Sequence, residues 1–137
     1  MAARIARNQA EAASGNRLFV KMSRGILLKG MMKMAIQHAN DATFHTLVQK
    51  EGITVVNFWA PWCGPCRTFA PVLEQFEKEA NGSLAVVKVN VDENPVTSSQ
   101  FQIMSIPATI IFKDGKPLYN EVGLLPLGVL QQLVASH

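Results

Sequence analysis

The sequence predicts an α/β domain, a central mixed β-sheet flanked by helices in the order β-α-β-α-β-α-β-β-α. Three observations carry this. Ile53 to Phe58 and Leu84 to Val91 are β-branched runs with little alternation, as strands covered on both faces should be. Between them Phe69, Val72, Leu73, Phe76 and Ala80 recur at intervals of three and four, which marks an amphipathic helix. Asp114-Gly115 then separates two shorter runs and predicts a tight antiparallel turn.

The elements follow in order from Ile36. Asn40-Asp41 offers an N-cap for a helix through about Gln49, with Phe44, Leu47 and Val48 facing inward. The longer helix should end near Asn81-Gly82 and kink at Pro71, which supplies no N–H and crowds the carbonyl four residues back. Pro95 opens a short helix through about Phe101. Ala108 to Lys113 reads as a strand that turns back into Pro117 to Val122. After Gly123, Pro126 takes a first-turn position of a helix whose Leu127, Leu130, Leu133 and Val134 form one stripe.

At 137 residues, 48% hydrophobic and 17% charged, the chain has room for one domain and a tail. The net charge of +3 hides an asymmetry. Residues 1–36 hold seven basic side chains against one acidic, a net +6, and the rest holds six against nine, a net −3. The predicted domain, 34–137, therefore lacks the basic face that nucleic-acid binding needs. Residues 1–33 show no sustained periodicity and are expected to be a basic extension outside it. Their composition fits a mitochondrial presequence, a disordered extension, or a start annotated upstream of the true one. Lys29 and Lys33 interrupt the apolar stretch there, so no membrane span is expected. Ile26-Leu27-Leu28 is too short for the core of a secretory signal, which disfavours export. A cytoplasmic location is expected, or the mitochondrial matrix if 1–33 is a presequence.

The chemistry is concentrated in Cys63-Gly64-Pro65-Cys66, between the end of a strand and the start of a helix. There the unpaired backbone N–H groups and the positive end of the helix dipole favour a thiolate at Cys63. Cys66, three residues on, lies on the same helical face and can attack a mixed disulfide formed at Cys63. Three other readings use the same residues: a zinc half-site, a purely structural disulfide, or two unrelated buried cysteines. Zinc requires four ligands, and His38, His45 and His137 are not paired at ligand spacing. A structural disulfide closing so small a loop would stabilise little.

The segment Phe58-Trp59-Ala60-Pro61-Trp62-Cys63-Gly64-Pro65-Cys66 resembles the active-site signature of the thioredoxin family, and the resemblance runs from about Ile36 to Ala135. It implies the thioredoxin fold and a dithiol-disulfide oxidoreductase that reduces protein disulfides. Cys63 would be the nucleophile and Cys66 the resolving thiol, cycling through a Cys63–Cys66 disulfide with no other cofactor. Ile106-Pro107 matches the family's cis-proline site, where the Ile106 backbone would pair with a bound substrate. Trp62, Gly64, Pro65, Val91, Ile106, Val122 and Gly123 match its flat apolar docking surface. Trp59 and Asp92 match a packing and hydrogen-bonding pair beneath the active site, and Lys88 would be a buried charge partner near the cysteines.

One departure stands out. Six residues before the nucleophile the family usually has a buried Asp, credited with taking the proton of the resolving thiol, and here that residue is Asn57. An amide cannot act as that base. Arg67 keeps the positive charge that the family often carries as Lys after the second cysteine. The implied partners are an NADPH-dependent flavoprotein, thioredoxin reductase, and disulfide-containing client proteins, with the chain acting as a monomer. Two readings compete with this: a disulfide oxidase or isomerase, against which Gly64-Pro65 argues, and a non-catalytic interaction module of the same fold, to which Asn57 gives room.

Overall fold

The computed structural model describes residues 35–48 and 51–137, so the expectations for residues 1–33 and for Gln49 lie outside the described residues. Residues 35–137 form one compact unit with nine elements. These are β1 (Gln37–Ala39), α1 (Phe44–Val48), β2 (Ile53–Trp59), α2 (Gly64–Ala80), β3 (Ala85–Asn90), α3 (Pro95–Gln100), β4 (Ala108–Lys113), β5 (Lys116–Val122) and α4 (Leu127–Ala135). The order is the one the sequence predicts.

The sheet runs β1-β3-β2-β4-β5. β1, β3 and β2 are parallel, and β4 and β5 add antiparallel to them. β2 lies at the centre and is buried from Thr54 to Phe58, which is why its sequence shows no alternation. Its two faces belong to different cores. Val56 and Phe58 join Phe44, Val87, Val89, Ile110 and Phe112 on one side. There the Phe101 ring packs 5.4 Å from Phe44 and 5.6 Å, edge-on, from Phe112. Val55 joins Phe69, Leu73, Phe76, Val86 and Leu130 on the other, beneath α2 and α4. Each of these side chains contributes about 1.5–3 kcal/mol on burial, so the inner stripe of α2 dominates its attachment to the sheet.

Local signals set the boundaries. Asp114 and Gly115 both have positive φ, 52° and 85°, and join Lys113 to Lys116 as the primed turn that a twisted hairpin requires. α2 ends at Asn81, whose left-handed φ of 53° turns its N–H onto Glu77 O. It continues as one helix through Pro71, even though the proline has no N–H for Arg67 O. Two positions differ from expectation. Pro126 is the N-cap of α4 and not within its first turn, and β3 stops at Asn90, because Asn90 Oδ1 accepts the N–H groups of Asp92 and Glu93 and bends the chain away.

The expected cap at Asn40-Asp41 divides between two helices. Asn40 Oδ1 accepts the N–H groups of Ala42 and Thr43 at the approach to α1. Asp41 serves α3 instead, 55 residues away, accepting from Val96 N, Thr97 N and Thr97 Oγ1. The Asn94 side chain is free to return the bond, its Oδ1 accepting Asp41 N at 3.0 Å. The Thr97 hydroxyl, chief among these donors, holds the Asp41 carboxyl below its ordinary range. A group with its pKa lowered by folding stabilises above its unfolded value and loses that contribution as pH falls. Asp41→Ala should therefore lower the urea midpoint at pH 6, and the gap to wild type should shrink below about pH 4, where the carboxyl protonates.

Candidate active site

The two cysteines sit where β2 hands over to α2. Trp59 closes the strand, residues 60–63 turn, and Cys63 becomes the N-cap of a 17-residue helix with extended backbone, φ −87° and ψ 114°. Its Sγ accepts the Cys66 N–H at 3.2 Å, so a thiol fills the place that a Ser or Asp usually takes at a helix start. Arg67 Nη1 donates to Pro61 O at 3.0 Å and ties the turn to the helix.

Both thiols are free and buried, Cys63 5% and Cys66 4% exposed. With Ala60 they form a small apolar cluster against Trp59, Val91 and Ile106. The Ile106–Pro107 peptide bond is cis, and the Cys63 thiol donates to Ile106 O across 3.8 Å. Val91 follows the end of β3, and its N–H donates to Trp59 O. Gly123 has φ +105°, a conformation that favours glycine, and its N–H donates to Pro107 O at 2.7 Å.

Around this cluster lies an exposed apolar rim. Trp62, 66% exposed, precedes Cys63 in the chain, and Val122 pairs with Ala108 beside Pro107. Gly64 and Pro65 occupy the first turn of α2, with Pro65 exposed. Two residues missed in the sequence extend it: Met104, 94% exposed and two residues before Ile106, and Leu124, next to Gly123. No periodicity in the loop marks either of them as outward.

The pairing of Trp59 with Asp92 is corrected by the geometry. Asp92 Oδ2 accepts from Trp62 Nε1 at 2.7 Å, and Trp59 Nε1 is buried without a hydrogen-bond partner. Asp92 stands on the exposed turn after β3, level with the outer tryptophan, while Trp59 packs inward. Over the Trp59 ring, 4.6 Å from its centroid, lies the half-buried Lys88 Nζ. Lys88 is next to Asn57 in the sheet register, and Asn57 is 2% exposed.

Burial and neighbouring charge act together on Cys66. Burial pushes the Cys66 thiol up to about 11; its hydrogen bond with Cys63 acts in the same sense, and the Lys88 ammonium pulls it back. Burial in turn lowers Lys88, against the opposing pull of Glu74 and Cys66. Cys66 is thus a protonated reserve at neutral pH, next to a cation that favours its ionised form.

These residues lie within a recognised family pattern. A thioredoxin family model matches residues 35–136. The chain belongs to the thioredoxin family. The thioredoxin of Bacillus subtilis is 44% identical over 104 residues, 76% of this chain and 99% of that protein, and that of Staphylococcus aureus is 43% identical over the same share. A mutant thioredoxin from Halobacterium salinarum has a similar structure, with a TM-score of 0.71 at 27% identity, covering 76% of this chain and 91% of that one. The family makes the chain a thiol-disulfide oxidoreductase, an electron carrier through a dithiol, and does not favour the non-catalytic module. Among the described residues no group of three or more His, Cys, Asp or Glu could hold a metal, and no helix is long and apolar enough to cross a membrane.

The raised Cys66 has a consequence for stability. The unfolded chain gives up this proton near the ordinary value of 9.0, and the folded chain keeps it to about 11, so stability falls as pH rises between them. Urea melts of the dithiol protein should show stability falling across that window. Lys88 titrates in the opposite sense, so the loss is best read as the difference from Cys66→Ser, in which this thiol component should be absent.

Proposed function

We propose that Cys63 is the attacking sulfur and Cys66 the resolving one in the reduction of client-protein disulfides. The observation that carries this is the position of Cys63 as N-cap of α2, its Sγ facing the N–H of Cys66 and the carbonyl of Ile106. Cys63 gives up its proton and bonds to one sulfur of the client, breaking the client's S–S bond; the departing client thiolate takes up a proton. Cys66 then loses its own proton and bonds to Cys63 Sγ. The second client sulfur leaves with the electron pair, and the enzyme is left as the Cys63–Cys66 disulfide. The dithiol itself carries the electrons, so the cycle requires no further cofactor.

Clients dock on the rim of Trp62, Gly64, Pro65, Val91, Ile106, Val122 and Gly123, with an extended client segment hydrogen-bonding to the Ile106 backbone. Pro107 and Trp59 support the site from behind, with Lys88 as charge partner, and Asp92 holds Trp62 in place. An NADPH-dependent flavoprotein, thioredoxin reductase, returns the disulfide to the dithiol, and the chain works as a monomer in the cytoplasm. The matched thioredoxins named above are bacterial or archaeal and lend the mitochondrial alternative no support.

Cys66→Ser should accumulate clients as mixed disulfides on Cys63, and Cys63→Ser should trap almost none, as read on non-reducing gels after alkylation. Equal trapping by both variants would overturn the division of roles. The wild-type chain should also speed insulin precipitation by dithiothreitol, which a pure binding module would leave unchanged.

A further inference from the structure

Resolution needs the Cys66 proton to leave, and the residue placed to receive it, Asn57, is not a base. The sheet register shows what else is there. Asn57 of β2 lies directly opposite Lys88 of β3 on one side and Thr109 of β4 on the other. Val55, two residues back on the same face, packs with Phe69 of α2, and Trp59, two residues on, packs with Cys66. Asn57 and Thr109 therefore lie on the α2 face, level with the turn of α2 between Cys66 and Phe69.

Both residues are almost fully buried, 2% and 1% exposed, and Asn57 Nδ2 and Thr109 Oγ1 each lack a hydrogen-bond partner. Leaving either group unpaired in an apolar layer is costly, and two such atoms on directly opposed residues of neighbouring strands can be satisfied together by one bridging molecule. A buried water typically makes about three hydrogen bonds. Here the amide donates, the hydroxyl donates or accepts, and the Cys66 thiol supplies the third.

We propose that Asn57 and Thr109 together seat one ordered water that takes the Cys66 proton during resolution, which makes Thr109 a positioning residue of the reaction. The proposal rests on the oxidoreductase reading above. As Cys66 Sγ bonds to Cys63 Sγ, its proton passes to the water, the client sulfur leaves with the electron pair of the broken S–S bond, and the water passes a proton on toward solvent. The route outward runs past Lys88 to a cleft of about 360 Å³ lined by Trp59, Lys88, Asn90 and Glu93. The charged and titratable groups acting on Cys66 are Cys63 at the start of α2 and Lys88 on β3; Glu74 of α2 acts on Lys88. Glu121 of β5 faces Thr109 in the register but accepts from Tyr119 OH, and His38 lies beyond Lys88 at the exposed edge.

The test compares full-length wild type, Thr109→Val and Thr109→Ser by stopped flow with an excess of a fluorescent disulfide client. Capture by Cys63 depends on client concentration and resolution does not, so the two steps separate. Thr109→Val should slow resolution about tenfold, the effect of one lost hydrogen bond to a developing charge, and displace its pH profile to the alkaline side. Thr109→Ser should restore both. A rotating-frame Overhauser cross-peak between water and the Asn57 side-chain amide should be present in wild type and absent from Thr109→Val. If the hydroxyl is only an unpaired atom, Thr109→Val will be more stable and resolve at the wild-type rate, and that result overturns the proposal, as does a missing cross-peak in wild type. A wild-type chain that captures no client overturns instead the oxidoreductase reading on which the proton step rests.

Discussion

Everything this molecule does with sulfur depends on the start of α2 being held against the end of β2. The contact is small: Ala60, Cys63 and Cys66 against Trp59, Val91 and Ile106. It is rigid because both partners are anchored elsewhere. β2 is hydrogen-bonded to a neighbour on each side, and α2 is fixed farther along by Phe69, Leu73 and Phe76. The reactive thiol thus inherits its position from apolar burial one and more turns away.

That placement also makes two chemically similar residues unequal. Cys63 caps the helix and faces the Ile106 carbonyl beside the exposed rim. Cys66 is one turn deeper, and desolvation keeps its proton on. A protonated Cys66 suits the proposed two-step exchange, since a ready Cys66 thiolate would compete for the bond before the client is captured. Lys88 moderates the difference, its charge held over the Trp59 ring and next to the sulfur it favours in the ionised form.

The face of the sheet beneath α2 departs from apolar composition in one register row. His38, Lys88, Asn57, Thr109 and Glu121 lie opposite one another across all five strands, with Val86, Val55 and Ile111 in the next row of the same face. The outer members reach water or a partner, and the inner two do not. A fold selected for stability alone would fill that row with aliphatic side chains, because unpaired buried polar atoms cost free energy. Their place in that row is what the proposed proton step uses.

The sequence by itself determined the element order, the central strands and the placement of Cys63 and Cys66 at a helix start, because each rests on local physics. Burial on both faces removes alternation, Asp114-Gly115 tolerates positive φ, and a Cys-x-x-Cys at a helix start needs only its neighbours. Tertiary structure decided what depended on register or on distant partners. Asp41 reads locally as a cap for the helix that follows it, yet it caps a helix 55 residues on, since β1 delivers it to the start of α3. Asp92 matches a partner for Trp59 but bonds to Trp62, because the turn at Asn90 carries it outward. Thr109 looks like one β-former in a run of them, and only the pairing of β4 with β2 reveals that it faces Asn57 beneath the cysteines.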